Sequence, residues 1–235
     1  MMTVPDADTG APIRLVIFDF DGTLSDSGGW FLSIVDHLAE KYRFRPVDPG
    51  EVETLRNQST REVIRHLGIP AWKLPFIARY VRTLLALHTH EIRLFEGVGE
   101  LLAALKAAGM QLAVVTSNSE LNARRILGVE NAALIDLWDC ASSLYGKAPK
   151  YRRTLKRAGV SAGEAISIGD ETRDIEAARR TGIRTGAVLW GYASEAALRR
   201  LSPDLLFTRP DEIARVLLAG DSALQPIPES SLTAR

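Results

Sequence analysis

The fold is indicated by one stretch, residues 15–27, which reads LVIFDFDGTLSDS. It continues an apolar run over residues 13–18 that is rich in β-branched side chains, as expected for a central parallel strand covered on both faces. Asp19 and Asp21 stand at the end of this predicted strand, where their spacing of two would put both side chains on one face. Ligands of open parallel sheets bind beyond the carboxyl ends of the strands, so this edge is a candidate site.

The composition is that of an ordinary globular protein with no strongly charged partner. Of 235 residues, 46% are hydrophobic, and 29 basic residues balance 29 acidic ones, which argues against a nucleic-acid or anionic-membrane partner. The single cysteine, Cys140, excludes an intrachain disulfide and a cysteine-based zinc site. The first ten residues have neither a basic start nor an apolar stretch, and no apolar run is long enough to span a bilayer, so we expect a cytoplasmic protein.

Strands and helices are predicted to alternate over most of the chain. Further strands are expected at 111–115, 133–138, 165–168, 186–190 and 205–207. Helices are expected at 100–108, 121–127, 149–158 and 171–180, each followed within two residues by a glycine. This order predicts an α/β fold with right-handed crossovers and a mostly parallel sheet.

A helical insert interrupts the alternation after the first strand. Residues 25–92 read as roughly four helices with no strand among them, and Ser59 to Glu62 has the pattern of a capping box. We therefore predict a core domain formed by 11–24 and 93–219, and an α-helical domain at 25–92. The termini, 1–10 and 220–235, are predicted to be flexible.

Several polar residues follow the predicted strands at the same edge of the sheet. They are Asp19, Asp21, Thr116, Ser117, Asn118, Lys147, Asp170 and Asp174. Asp170 and Asp174 are four residues apart, which puts them on one side of a helix. Taken singly, Asp170 could be a helix cap and Lys147 a surface lysine. Together, the acids suit a divalent cation, and the lysine and hydroxyls suit an anion held beside it.

These residues carry a resemblance to a known family. DFDGT at 19–23, VVTSN at 114–118, Lys147 and GDETRD at 169–174 resemble the four motifs of the haloacid dehalogenase superfamily, in the same order. The helical insert resembles the small α-helical cap of its phosphoglycolate-phosphatase-like members, and the resemblance covers about residues 13–218. It implies a Rossmann-like three-layer core with a cap domain, Mg²⁺ as cofactor, and a small phosphate ester as substrate.

The resemblance also implies roles for individual residues. Asp19 would attack phosphorus and form an aspartyl-phosphate, and Asp21 would act as general acid and then general base. The metal ligands would be Asp19, Asp170, Asp174 and the backbone carbonyl of Asp21.

The phosphate contacts leave two alternatives open. Thr116 or Ser117 would donate a hydroxyl to the phosphate, and Lys147 or Lys150 would neutralise its charge. Lys150 stays in question because Ala148 separates Lys147 from Pro149, whereas many relatives carry Lys-Pro.

Substrate binding is further assigned to backbone and insert residues. Gly22 would allow the tight turn that brings amide donors around the phosphate, with Asn118 nearby. Arg56, Arg61 and Arg65 are the insert residues predicted to contact the substrate, although they suit a solvated helix face equally well.

The predicted function is a Mg²⁺-dependent phosphatase acting on a small phosphorylated metabolite. A phosphosugar mutase would share every core motif, and a non-catalytic phospho-ligand-binding protein could keep the fold. A haloacid dehalogenase would have no use for Asp21, and a phosphoacceptor signalling module would not place its acceptor before a large helical insert. The sequence does not predict an oligomeric state.

Overall fold

The computed structural model of the chain describes residues 11–141 and 146–219. The termini predicted to be flexible, 1–10 and 220–235, lie outside the described residues. The strands are β1 (Leu15–Phe18), β2 (Ser25–Asp26), β3 (Arg93–Leu94), β4 (Gln111–Val115), β5 (Leu137–Asp139), β6 (Ala165–Gly169), β7 (Arg184–Val188) and β8 (Leu205–Phe207). The helices are α1 (Gly28–Tyr42), α2 (Val52–Arg56), α3 (Thr60–His66), α4 (Leu74–His88), α5 (Val98–Ala107), α6 (Glu120–Ala133), α7 (Ala148–Ala158), α8 (Thr172–Arg179), α9 (Glu195–Arg199) and α10 (Pro210–Leu218).

Six of the described strands form a parallel sheet in the order β5-β4-β1-β6-β7-β8. The central strand β1 is fully buried, because its alternating side chains pack on opposite faces of the sheet. Val16 and Phe18 join the apolar cluster beneath α5, α6 and α10, whereas Leu15 and Ile17 join the one beneath α7 and α8. Helices thus cover both faces, and the predicted three-layer α/β fold is confirmed.

The helical insert begins and ends at a small second sheet. Strand β2 pairs antiparallel with β3, with Ser25 opposite Leu94 and Asp26 opposite Arg93. The expectation of no strand in residues 25–92 was wrong for β2, because a strand of two residues leaves no alternating pattern in the sequence. The chain therefore leaves the core and returns to it at adjacent points, with α1 to α4 between them.

The third predicted strand, at 133–138, was misplaced. Ala133 closes α6, and β5 begins only at Leu137. Gly128 was predicted to follow the end of a helix, but it forms a kink with φ 76°, and α6 resumes beyond it. A short apolar run shows no periodicity that separates a helix end from a strand, and Ile135 is buried although it lies between the two elements.

Smaller shifts occur elsewhere. The fifth predicted strand, at 186–190, lies at Arg184–Val188, so Trp190 belongs to the loop that follows it.

None of the helices in the described ranges is long and apolar enough to cross a membrane.

Candidate active site

Three buried carboxylates meet at the carboxyl edge of the sheet. Asp19 follows β1, Asp170 follows β6, and Asp174 lies in the first turn of α8. The two strands are neighbours, and the Asp19 N–H donates to the Ile168 carbonyl at 2.8 Å, which fixes their relative height. Each carboxylate offers an oxygen within 4.8 Å of the others, and all three side chains are at most 3% exposed.

Lys147 supplies a positive charge to this cluster. It precedes α7, and its Nζ lies 2.7 Å from Asp19 Oδ2 and also contacts Asp174 Oδ1. Burial opposes the charged form of Lys147, but the carboxylates of Asp174 and Asp19 outweigh it and raise its pKa above the usual range. The side chain is therefore an ammonium group.

Lys150 lies one turn further along α7 and has different partners. Its Nζ donates to the backbone carbonyls of Thr116 at 2.7 Å and Asp139 at 3.1 Å, and to that of Ala141. It ties together the chain segments that follow β4 and β5, and the carboxylate nearest to it is that of Asp139, at 3.7 Å.

The donor set suits a hard divalent cation. All three groups are carboxylate oxygens, and a single ammonium group does not neutralise three buried anions. Burial and then the charge of Asp19 raise the pKa of Asp170, because the ionised form of a buried carboxylate is disfavoured beside another negative charge. Asp19, Asp170 and Asp174 could therefore hold Mg²⁺.

Asp21 lies beside this cluster. Strand β1 ends at Phe18, so Asp19 and Asp21 both lie beyond it. The turn that follows the strand, and not strand alternation, brings their side chains together. Asn118 Nδ2 contacts both Asp21 oxygens, at 3.3 and 3.2 Å, and Ser27 Oγ lies 3.2 Å from Oδ1. Burial, together with the charge of Asp19, raises the pKa of Asp21 from 3.8 to about 6.

Gly22 allows this turn to approach Asp170. Its φ is +82°, and a Cβ built there would lie 2.3 Å from Asp170 Oδ2. The next residue, Thr23, donates its hydroxyl to Asp170 Oδ1 at 2.8 Å. A side chain at position 22 would therefore displace a carboxylate of the cluster.

The segment after β4 presents one buried and one exposed hydroxyl. Thr116 is 1% exposed, and its Oγ1 accepts the Asn118 N–H at 3.0 Å, which leaves the hydroxyl hydrogen free to donate. Ser117 is exposed, and its carbonyl accepts a hydrogen bond from Arg82.

A cavity of about 400 Å³ connects this edge with the insert. On the core side it is lined by Thr116, Ser117 and Lys147, and on the insert side by Ser59, Thr60 and Arg61. Arg61 is exposed and has no hydrogen-bond or ion-pair partner among the described residues. Arg65 is exposed and does not line the cavity.

Arg56 faces the core and not the cavity. Its Nε and Nη2 donate to the carbonyls of Tyr192, at 3.0 Å, and Gly191, at 3.2 Å. The loop after β7 that carries these carbonyls was not foreseen from the sequence. Gly191 and Tyr192 directly follow the predicted strand at 186–190, and this position at a strand end was the available signal.

Glu171 and Arg173 were also missed. Glu171 accepts the hydroxyl of Thr60 from the insert at 2.6 Å and pairs with Arg173, which lines the cavity. Both residues lie within the predicted motif at 169–174, of which only the aspartates were predicted to be site residues.

Comparison with known proteins finds a matching family model and several similar proteins. A family model described as haloacid dehalogenase-like hydrolase matches residues 16–188. The phosphoglycolate phosphatase of Synechococcus elongatus is 30% identical over 206 residues, which cover 87% of this chain and 97% of that protein. The tyrosine-protein kinase PtkA of Mycobacterium tuberculosis is 34% identical over 78% of this chain, which spans 64% of PtkA.

A solved structure shows the same fold. The predicted phosphatase from Clostridium acetobutylicum gives a TM-score of 0.75 at 22% identity, covering 89% of this chain and all of that one.

Proposed function

The chain belongs to the haloacid dehalogenase-like hydrolase family, and on that premise we propose that it is a Mg²⁺-dependent phosphatase of small phosphate monoesters. The observation that carries the proposal is the contact of Lys147 with Asp19 beside two further buried carboxylates, Asp170 and Asp174. The relative named phosphoglycolate phosphatase, which aligns over nearly its whole length, makes phosphorylated two- and three-carbon acids the first substrates to test.

Asp19 is the nucleophile in this proposal. Its carboxylate oxygen forms a bond to phosphorus while the bond from phosphorus to the ester oxygen breaks, giving an aspartyl-phosphate. Asp21 donates a proton to the departing alkoxide. Asp21 then accepts a proton from the water that attacks the aspartyl-phosphate, which releases inorganic phosphate and restores Asp19.

The surrounding groups stabilise charge on the phosphoryl oxygens. Lys147 offsets the charge that Asp19 and the phosphate bring together, and Thr116 donates its free hydroxyl hydrogen. Mg²⁺ held by Asp19, Asp170 and Asp174 would supply the remaining charge neutralisation, with the backbone carbonyl of Asp21 as a further ligand in the proposed set.

Residues 25–92 act as a cap in this proposal. The cavity lies between the insert and the core, so a bound ester would be sheltered from water during attack. Arg61 is the insert residue best placed to contact the substrate, and Arg61→Ala is expected to raise KM. Arg56, Ser117 and Asn118 stay predicted contacts, although the guanidinium of Arg56 and the amide of Asn118 already bind core groups.

The test measures phosphate release from the purified full chain. The wild type is assayed with p-nitrophenyl phosphate and a panel of alkyl phosphates that includes 2-phosphoglycolate, with Mg²⁺ and with EDTA, and ³¹P NMR identifies the product. We expect Mg²⁺-dependent inorganic phosphate, lost in Asp19→Asn. Phosphoryl transfer to a second position without free phosphate would support a mutase, and binding without turnover would support a non-catalytic protein.

A further inference from the structure

Tyr192 is linked to Asp21 by a chain of two hydrogen bonds. Its hydroxyl oxygen lies 2.7 Å from Ser27 Oγ, which in turn lies 3.2 Å from Asp21 Oδ1. The Ser27 hydroxyl has one hydrogen, which it gives to the carboxylate, so the hydrogen between Tyr192 and Ser27 comes from Tyr192. The direction of the chain is therefore from Tyr192 through Ser27 to Asp21.

The two hydrogen bonds that link Tyr192 to Asp21 end on one oxygen of the carboxylate, and the other oxygen accepts fewer hydrogen bonds. Oδ1 accepts from Ser27 and from Asn118 at 3.3 Å, and Ser25 Oγ lies at 3.5 Å, the limit for a hydrogen bond. Among the described residues, Oδ2 accepts a hydrogen bond only from Asn118, at 3.2 Å. A carboxylate whose Oδ1 is fixed by donors presents Oδ2 as the oxygen that can carry and transfer a proton.

The backbone of Tyr192 is fixed at the same time by the core and the insert. Its N–H donates to Asp170 Oδ2 at 2.8 Å, and its carbonyl accepts from Arg56 Nε at 3.0 Å. The Arg56 carbonyl accepts the N–H of Ser194 at 2.9 Å, so Arg56 is bonded to the loop after β7 through its backbone as well as its side chain. The ring is thus held where insert and core meet.

We propose that Tyr192 is a positioning residue that orients Asp21 through Ser27, and that Arg56 holds it there when the insert is docked on the core. This inference rests on the proposed phosphatase function and adds to it. Within the described part of the chain, the hydroxyl of Tyr192 is hydrogen-bonded to Ser27 and to none of the carboxylates proposed to bind the metal. Its role in the proposal is to set which Asp21 oxygen faces the leaving group. The residue therefore affects proton transfer and not the attack of Asp19.

Leaving groups of different basicity separate these two effects. An alkyl phosphate releases a strongly basic alkoxide that must be protonated as it departs, whereas p-nitrophenolate is a weak base that departs without a proton. The value of kcat/KM reports the steps up to the first irreversible one, which here is loss of the leaving group. A misoriented Asp21 should therefore slow alkyl esters selectively.

The decisive variant is Tyr192→Phe, which keeps the ring and the N–H bond to Asp170. We expect kcat/KM for the best alkyl phosphate of the wild-type panel to fall at least about tenfold, a fraction of what a general acid provides. The value for p-nitrophenyl phosphate should change less than about threefold, and the Mg²⁺ concentration giving half-maximal rate should stay the same. Ser27→Ala should give the same selective loss, and the double variant should be no worse than either single one.

Tyr42→Phe is the matched control, because it also removes a tyrosine hydroxyl that donates a hydrogen bond, here to the Phe76 carbonyl inside the insert. It should leave both substrates unaffected. An equal loss on both substrates in Tyr192→Phe, or no loss on either, overturns the positioning role while leaving the phosphatase function standing. A wild type that hydrolyses neither substrate overturns both.

Discussion

Lys147 and Lys150 lie one helical turn apart at the start of α7, yet their ammonium groups bind different kinds of partner. Lys147 contacts the carboxylates of Asp19 and Asp174, whereas Lys150 donates to three backbone carbonyls. Burial lowers the pKa of Lys150, and the carboxylates around Lys147 raise the pKa of that residue. Two lysines that the sequence leaves as alternatives are thus separated by what surrounds them.

The first prediction compares Lys147→Met with Lys150→Met. Removing Lys147 takes away a positive charge beside the nucleophile, so kcat should fall at least about 100-fold. Removing Lys150 takes the donor from three backbone carbonyls, of which that of Thr116 is buried, and should lower the free energy of unfolding by about 1–3 kcal/mol, with a smaller loss of turnover. Urea unfolding and Mg²⁺-dependent turnover of the folded fraction measure the two effects. Equal losses of turnover would contradict the assignment.

The second prediction separates Thr116 from Ser117. Thr116→Ala removes a buried hydroxyl whose hydrogen is free to donate, and should lower kcat/KM by about 100-fold. Thr116→Ser retains the hydroxyl and should recover most of the activity. Ser117→Ala changes an exposed side chain and should have the smaller effect. If Ser117→Ala proved the more damaging substitution, the phosphate contact would belong to Ser117.

The sequence predicted the layers of the fold because β1 and its neighbours are buried on both faces, which leaves uninterrupted apolar runs. The sequence also predicted that Asp19 and Asp170 lie at one edge of the sheet, since parallel strands end at the same side. The boundary at 133–138 was missed because an apolar helix end and an apolar strand look alike when they are adjacent.

Other features depend on contacts between segments far apart in the chain. Arg56 meets Gly191 and Tyr192 only because the insert folds back over the core, a separation of about 135 residues that no local pattern encodes. Tyr192 reaches Ser27 for the same reason. The aspartates of the site were therefore predictable from motifs, whereas residues placed by contacts between distant segments, such as Arg56 and Tyr192, were not.

The third prediction uses two glycines with similar backbones and different neighbours. Gly22 and Gly68 both have positive φ, +82° and +66°, so alanine at either position should cost about 1–2 kcal/mol of stability through backbone strain. A Cβ at Gly68 would meet nothing within 4 Å, whereas a Cβ at Gly22 would lie 2.3 Å from Asp170 Oδ2. Only Gly22→Ala must move a carboxylate of the proposed metal site.

Thermal unfolding with and without Mg²⁺ distinguishes the two variants. A cation that binds the folded state raises Tm according to its concentration relative to Kd, so the wild type and Gly68→Ala should both be stabilised by Mg²⁺. Gly22→Ala should lose that rise in Tm, together with Mg²⁺-dependent turnover, because Asp170 can no longer keep its bonds to Thr23 and Tyr192. A Gly22→Ala variant that keeps the full Mg²⁺ response would show that Asp170 does not bind the metal in the position seen here.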